Sequence, residues 1–286
     1  MNFVPASRAH LAYFSGLLLC CFLGYVAIFQ EDGHFEALVG WASYSRSGSG
    51  SLRSYDFTNQ DTRVILMQTD AARVKYVREY LQQKLSYLNV TIWPAVTPSQ
   101  LADAKYQRLY YNKTFSDVRQ GAIGCTVAHI TLLEHFVASG RPRMLVLEDD
   151  VEMPSNFEYL YAQFLRHVPA DFDLCQLLHH VTSAAKYRHR KEYAMPSNPY
   201  VMKGYGSYGT PAYLVSRKGA IKLLEGIIPI YDVIDMMFID LIRSNRVVSY
   251  MPTLNLTFRT WRFESNIWKT KFEPLDNEAD ATNIRR

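Results

Sequence analysis

Met144-Leu145-Val146-Leu147-Glu148-Asp149-Asp150 is the stretch from which the fold is read. Four apolar residues in a row, with no polar position between them, fit a strand covered on both faces, as in a parallel sheet flanked by helices. In such sheets ligands bind beyond the carboxyl ends of the strands. The three acids therefore sit at the sheet's binding edge. Adjacent carboxylates repel one another, and a divalent cation relieves that repulsion. Oxygen donors suit Mn2+ or Mg2+ rather than a structural zinc ion. If the extended geometry persists, Glu148 and Asp150 point to one face. That arrangement is like the Asp-x-Asp pair that holds a metal against a nucleotide diphosphate. The competing reading is a solvated acidic turn or a helix cap.

Outward from this strand the pattern repeats. Val64-Ile65-Leu66-Met67 is a second short apolar run. Asp70 to Leu88 follows as a helix, with Val74, Val77, Leu81 and Leu85 at helical spacing. Val90-Thr91-Ile92-Trp93 is a strand ended by Pro94. Strand, helix, strand in this order predicts a mostly parallel sheet with helices packed on both faces. Residues 99–120 are polar and Tyr-rich, a loop with some helix. Ile123 to Val137 reads as an amphipathic helix, ended by Ser139-Gly140 and Arg141-Pro142. Beyond the acidic triplet the pattern gives a helix over Phe157 to Val168 and a strand over Leu174 to Leu178. A loop over 183–208 and a strand over Ala212 to Val215 follow. Lys218 to Glu225 and Asp232 to Arg243 read as helices.

Composition fits a globular chain. Of 286 residues, 48% are hydrophobic and 20% charged. The net charge of +4 rests on 31 basic and 27 acidic residues, with no dense basic block, and predicts no nucleic-acid partner. Leu11 to Gln30 carries no Asp, Glu, Lys or Arg. Twenty helical residues span roughly 30 Å, one bilayer core. Arg8 precedes the run and Glu31-Asp32 follow it, so the positive-inside rule leaves residues 1–10 as a cytoplasmic tail. Residues 11–30 are then a signal-anchor. A cleaved signal peptide is the alternative, but its apolar core is shorter and ends in small residues. Residues 31–62, where Ser alternates with Gly and Arg, read as a flexible stem. The region after Trp268 is a polar tail. Sequons at Asn89, Asn112 and Asn255 agree with a lumenal side but are common by chance. Cys20 and Cys21 fall in the membrane run, as acylation sites or apolar filler. Cys125 and Cys175 are either one disulfide or two buried thiols.

Asp232 and Asp235, three apart, share a helix face, as a functional pair or simply as acids favoured at a helix start. None of the 8 His lies in the C-terminal third, so a late-chain base or metal ligand must be Asp or Glu: Asp235, Asp232 or Glu264. His179-His180 at a strand end is a minor metal candidate. His129, beside its helix's apolar stripe, is read first as a buried, hydrogen-bonded histidine.

In order along the chain, these residues resemble glycosyltransferase family 25, which includes lipopolysaccharide and procollagen galactosyltransferases. The resemblance runs from about Arg63 to Trp268. It rests on Trp93-Pro94-Ala95-Val96, on Gly121-Ala122-Ile123-Gly124-Cys125 through His129, and on Leu145-Val146-Leu147-Glu148-Asp149-Asp150-Val151. Ala212-Tyr213-Leu214-Val215-Ser216-Arg217-Lys218-Gly219-Ala220, Val233-Ile234-Asp235 and Ser265-Asn266-Ile267 continue it. Three positions depart from the pattern. Leu66-Met67-Gln68 stands for Asn-Leu-Asp, Ala122 for Glu, and Ala128 for Ser.

The resemblance implies a nucleotide-binding fold of the glycosyltransferase-A type over 63–268 and inverting transfer from a UDP-sugar, galactose or glucose, to a glycan or glycoprotein hydroxyl. It implies a metal at Asp150 with Glu148, and Asp149, Arg73, His129 and Arg217 (or Lys218) toward the donor. Asp235, with Asp232 in reserve, is the expected base. With the anchor, it implies a type II Golgi or ER membrane protein. Ala122 and Ala128 motivate an alternative, an inactive relative that binds carbohydrate or mediates adhesion. A metal-dependent phosphate-ester hydrolase lacks the further metal cluster it requires.

Overall fold

A computed structural model describes residues 55–109, 120–178, 192–260 and 262–263. The expected membrane run, most of the stem, His179-His180, Glu264 and the tail lie outside the described residues. A seven-stranded sheet has the spatial order β2-β1-β3-β7-β5-β8-β6. Its strands are β1 (Gln60–Leu66), β2 (Val90–Pro94), β3 (Arg143–Glu148), β5 (Leu174–Gln176), β6 (Val201–Lys203), β7 (Ala212–Ser216) and β8 (Ser249–Pro252). A separate ribbon pairs β4 (Val151–Glu152) with β9 (Phe258–Arg259). β1, β2, β3, β5 and β8 run one way. β7 is antiparallel to both β3 and β5, and β6 is antiparallel to β8.

Alternation along the strands explains the layers. Ile65, Met144, Val146, Leu174, Tyr213 and Val215 face one core. Three helices cover it: α3 (Gln120–Ser139), α5 (Arg217–Ile227) and α6 (Ile234–Arg243). Val64, Leu66, Leu145, Leu147, Cys175 and Leu214 face the other core. There they meet α1 (Ala71–Tyr76), its continuation through a π-helical turn (Val77–Leu81) and Gln82–Lys84, and α4 (Phe157–His167). A short α2 (Ala104–Gln107) follows a 3-10 turn (Pro98–Ala102). Asp70 caps α1 by accepting from Ala72 N and Arg73 N at 3.0 and 3.1 Å.

Several elements differ from the pattern-based reading. The fold starts before Arg63: β1 begins at Gln60, and Tyr55 and Phe57 pack against the α1/α4 core. α3 is not one-sidedly amphipathic. It is buried from Ala122 to Phe136 on most of its surface, because the sheet, α5 and α6 all touch it. Among the described residues it is the one helix long and apolar enough to cross a membrane, and its burial marks it as a core helix. Gly124 makes its close approach possible, since a Cβ there would lie 2.2 Å from the Val96 carbonyl oxygen. α6 begins at Ile234, not Asp232, because the Asp232 carboxylate accepts from Val233 N at 2.7 Å and keeps that residue in the preceding turn. β6 lies inside the segment expected to be loop. Cys125 and Cys175 are free and belong to opposite faces of the sheet, so they do not pair.

Candidate active site

The chain turns at Asp149-Asp150, directly after β3. The extended geometry that would keep Glu148 and Asp150 on one face therefore stops there. Each acid takes its own partners. Asp149 accepts from Met67 N, just past β1, at 2.8 Å, and forms an ion pair with Arg73. Arg73 also reaches Asp150 at 3.5 Å and Asp70 at 3.5 Å, and lies over the Phe263 ring at 5.1 Å. Arg259, on β9, comes within 3.4 Å of Asp150 Oδ2. The β4–β9 ribbon and a bond from Thr260 N to the Asp150 carbonyl, 2.8 Å, fix that approach. Asp150 Oδ1 is buried and has no hydrogen-bond partner among the described residues.

Glu148 faces α3 and the start of β7. His129 Nε2 is 3.2 Å from its Oε1, and Thr210 Oγ1 donates to the same oxygen at 2.7 Å. His129 Nδ1 contacts Tyr213 Oη at 3.0 Å, and the ring is fully buried. Asp235, in the first turn of α6, accepts from Gly209 N at 2.8 Å and Met236 N at 3.0 Å. Gly209 can present its amide this way because its φ is +76°. The loop holding it is fixed by Gln176, whose side chain exchanges two hydrogen bonds with the Ser207 backbone at 2.7 and 2.8 Å.

The electrostatics follow from burial against these partners. Burial pushes Asp149 up to about 6 against the pull of Arg73 and the Met67 amide. Burial and then the Glu148 charge push Asp150 up as well. Burial also opposes ionisation of Glu148, but the bonds from His129 and Thr210 outweigh it and hold that carboxyl low. The Cys125 thiol is raised well above its usual range, by burial first and then by Glu148, Asp235, Asp150 and Asp149. All four carboxylates thus act on the cysteine through their charge, and Glu148 lies within 4.8 Å of its sulfur. Fit to a hard divalent ion, which takes oxygen donors, rests on the orphaned Asp150 Oδ1; Glu148 is turned onto His129 and Thr210, and Asp149 onto Arg73 and the Met67 amide.

The structure thus brings Glu148, Asp149, Asp150, Arg73, His129 and Asp235 to one end of the sheet. Arg217 is not there. Because β7 runs antiparallel to β3, its last residue, Ser216, pairs with Arg143 at the start of β3. Arg217 donates instead to the Val137 carbonyl at 3.1 Å, and Lys218 lies 3.3 Å from Asp173, both at the opposite end. Asp232 spends its described bond on the next backbone amide. Arg73 is turned onto protein carboxylates and is buried. Thr210, Tyr213, Gly209 and Arg259 went unread. A correctly oriented β7 identifies the first three; nothing in the sequence pattern marks Arg259.

Residues 59–240 match the profile of Glycosyltransferase family 25 (LPS biosynthesis protein). The chain belongs to glycosyltransferase family 25. Among curated family 25 relatives, "Inactive glycosyltransferase 25 family member 3" of Homo sapiens is 33% identical over 142 residues, 46% of this chain and 22% of the relative. "Glycosyltransferase 25 family member" of Aedes aegypti is 31% identical over 170 residues, 53% of this chain and 26% of the relative. The chain thus spans about a quarter of the length of these curated relatives. Among solved structures, A197 from STIV aligns over 69% of this chain and 82% of that one, with TM-score 0.35 and 11% identity. Mouse xyloside xylosyltransferase 1 in its apo form aligns over 67% of each chain, with TM-score 0.27 and 13% identity.

Proposed function

We propose that this family 25 chain is an inverting, metal-dependent glycosyltransferase of the glycosyltransferase-A type. In this reading it moves a hexose, galactose or glucose, from a UDP-sugar to a hydroxyl of a glycan or glycoprotein. The observation that carries the reading is the buried Asp150 Oδ1, without a hydrogen-bond partner among the described residues, in the turn after the central strand. Asp150 and Glu148, with Asp149 beside them, would hold Mn2+ or Mg2+. When bound, that ion neutralises charge on the departing diphosphate. Arg73 and the Met67 amide keep Asp149 and the turn after β3 in place. Asp235 is the base. Two backbone amides aim its carboxylate, and each oxygen keeps a second lone pair for the acceptor's proton. The acceptor oxygen bonds to the anomeric carbon, the carbon–oxygen bond to the nucleoside diphosphate breaks with its electron pair, and the proton goes to Asp235. Residues 11–30 would anchor the chain, with the catalytic part in the Golgi or ER lumen.

A second reading has its own support. Ala122 and Ala128 lie on α3, the helix that supplies His129 and Cys125, and four of the curated relatives bear names that call them inactive. On this reading the chain binds carbohydrate or mediates adhesion without turnover. The test is UDP release by the full-length chain from UDP-galactose and UDP-glucose, with Mn2+ and with chelator. Expected is cation-dependent release that falls at least ~100-fold in Asp150→Ala, with circular dichroism unchanged. Unchanged release in that variant overturns the metal assignment. Saturable UDP-sugar binding with no release selects the inactive reading.

A further inference from the structure

We propose that Cys125, His129 and Glu148 form a binding site for a thiophilic divalent cation of the zinc class, distinct in chemistry from the all-oxygen set at Asp150. Cys125 and His129 are one helical turn apart on α3 and so share a face. Their ligand atoms and a Glu148 carboxylate oxygen all lie within 4.8 Å of one another. One edge of the triangle already has the right length. Zinc bonds to imidazole and carboxylate put two tetrahedral ligand atoms about 3.4 Å apart, and His129 Nε2 and Glu148 Oε1 are 3.2 Å apart. The sulfur belongs about 3.6 Å from each, a spacing inside the 4.8 Å that bounds the three ligand atoms.

The surroundings suit this set. A metal-binding imidazole is oriented through its other nitrogen, and His129 Nδ1 has Tyr213 Oη at 3.0 Å. A hydroxyl both donates and accepts. Tyr213 can therefore donate while Nε2 carries the proton toward Glu148, and accept when Nε2 gives its lone pair to the cation. Thr210 Oγ1 steadies the Glu148 carboxylate at 2.7 Å. Negative charge from Asp149, Asp150 and Asp235 favours a dication at this spot. Burial first, and then the same charge, keeps the metal-free thiol protonated and a poor nucleophile. Binding forms a sulfur–metal bond and releases the thiol proton to solvent. A sulfur, an imidazole nitrogen and a carboxylate select Zn2+ or Cd2+ over Mn2+ or Mg2+.

The test uses the full-length chain with Cys20→Ser and Cys21→Ser, stripped by chelator and titrated with Cd2+. The readout is the ultraviolet charge-transfer band of a cadmium–thiolate bond, with competition by Zn2+ giving the affinity. Expected is a band that saturates at one cadmium per chain, disappears in Cys125→Ser, weakens at least tenfold in His129→Gln, and is unchanged in Cys175→Ser. Absence of the band in the Cys125-containing chain overturns the proposal, and this arm needs no variant at Cys125 to fold. A band that survives Cys125→Ser overturns it too. Because Glu148 would serve both ions, a zinc-class ion should also displace Mn2+. That corollary rests on the proposed metal at Asp150. The cadmium band does not, so it can fail while UDP release stands, and the reverse.

Discussion

The Arg73–Asp149 ion pair shows what a single buried carboxylate does to the fold. Asp149 is 6% exposed and Arg73 4%. Burial lifts the Asp149 carboxyl to about 6, while an unfolded Asp titrates near 3.9. The folded state therefore holds the proton more tightly. Its stability contribution is fully present below pH ~4 and is lost as pH rises through about 6. The expected size is about 3 kcal/mol. Asp149→Asn cannot titrate. In chelator, the urea stability of the native chain relative to this variant should fall by that order between pH 4 and pH 7. A rise across the same interval would mean that the ion pair, not burial, governs Asp149. At this scale the sequence was half legible. Three adjacent acids after an apolar run announced themselves, because crowded charge at a strand end is improbable without a use. Arg259 did not, because one arginine in a polar stretch looks like any solvated side chain until the β4–β9 ribbon sets it against Asp150.

At the scale of elements, α3 carries the site and the core together. Its periodicity suggested one apolar stripe, but the polar positions between are few and mostly small. Sheet, α5 and α6 enclose most of it, burying Ala122, Gly124, Thr126 and Ala128 as well as the stripe. The helix reaches β2's end only because Gly124 has no side chain. Gly124→Ala places a methyl against a backbone carbonyl that cannot rotate away, so the helix must shift. The expected cost is about 2–4 kcal/mol, read as a lower urea midpoint. His129 and Cys125 lie within about a turn of that contact, so UDP release per folded molecule should fall too. A variant that loses stability but keeps full release would show that the backbone at Val96 gives way instead and that His129 stays in place beside Glu148. β7 illustrates the opposite limit on reading. Ala212 to Ser216 is apolar in either direction, and its residues carry no sign of which way the strand runs. Only the pairing with β3 and β5 decides, and it sends Arg217 away from the site while bringing Thr210 in.

Across the whole molecule, the mixed sheet separates two polar clusters to its two ends, and this separation makes the functional reading testable. At the end where β5 starts, Asp173 is fully buried, bonded by Lys222 and Val248 N and approached by Lys218 at 3.3 Å. Burial opposes its ionisation, but those partners outweigh it and hold its carboxyl low. This cluster ties α5 to the sheet, at the end opposite Glu148, Asp149 and Asp150. At the other end, Asp235 is tied by two backbone amides and sits among the carboxylates around Cys125. Lys222→Ala strips a buried carboxylate of its nearest cation, a loss of about 3 kcal/mol, and should leave UDP release per folded molecule unchanged. Arg217→Ala, from the same end, should also leave it unchanged. Asp235→Asn keeps size, but its one carbonyl oxygen can accept from only one of Gly209 N and Met236 N, which in the native chain meet different oxygens, so stability should fall by about 1–3 kcal/mol. It cannot take a proton, so release in the presence of acceptor should fall by about 100-fold or more. Donor hydrolysis or transfer that survives Asp235→Asn at the native rate would remove Asp235 as the base. Turnover lost per folded molecule in Lys222→Ala would show that the two ends of the sheet communicate, which the fixed pairing of β3, β7 and β5 argues against.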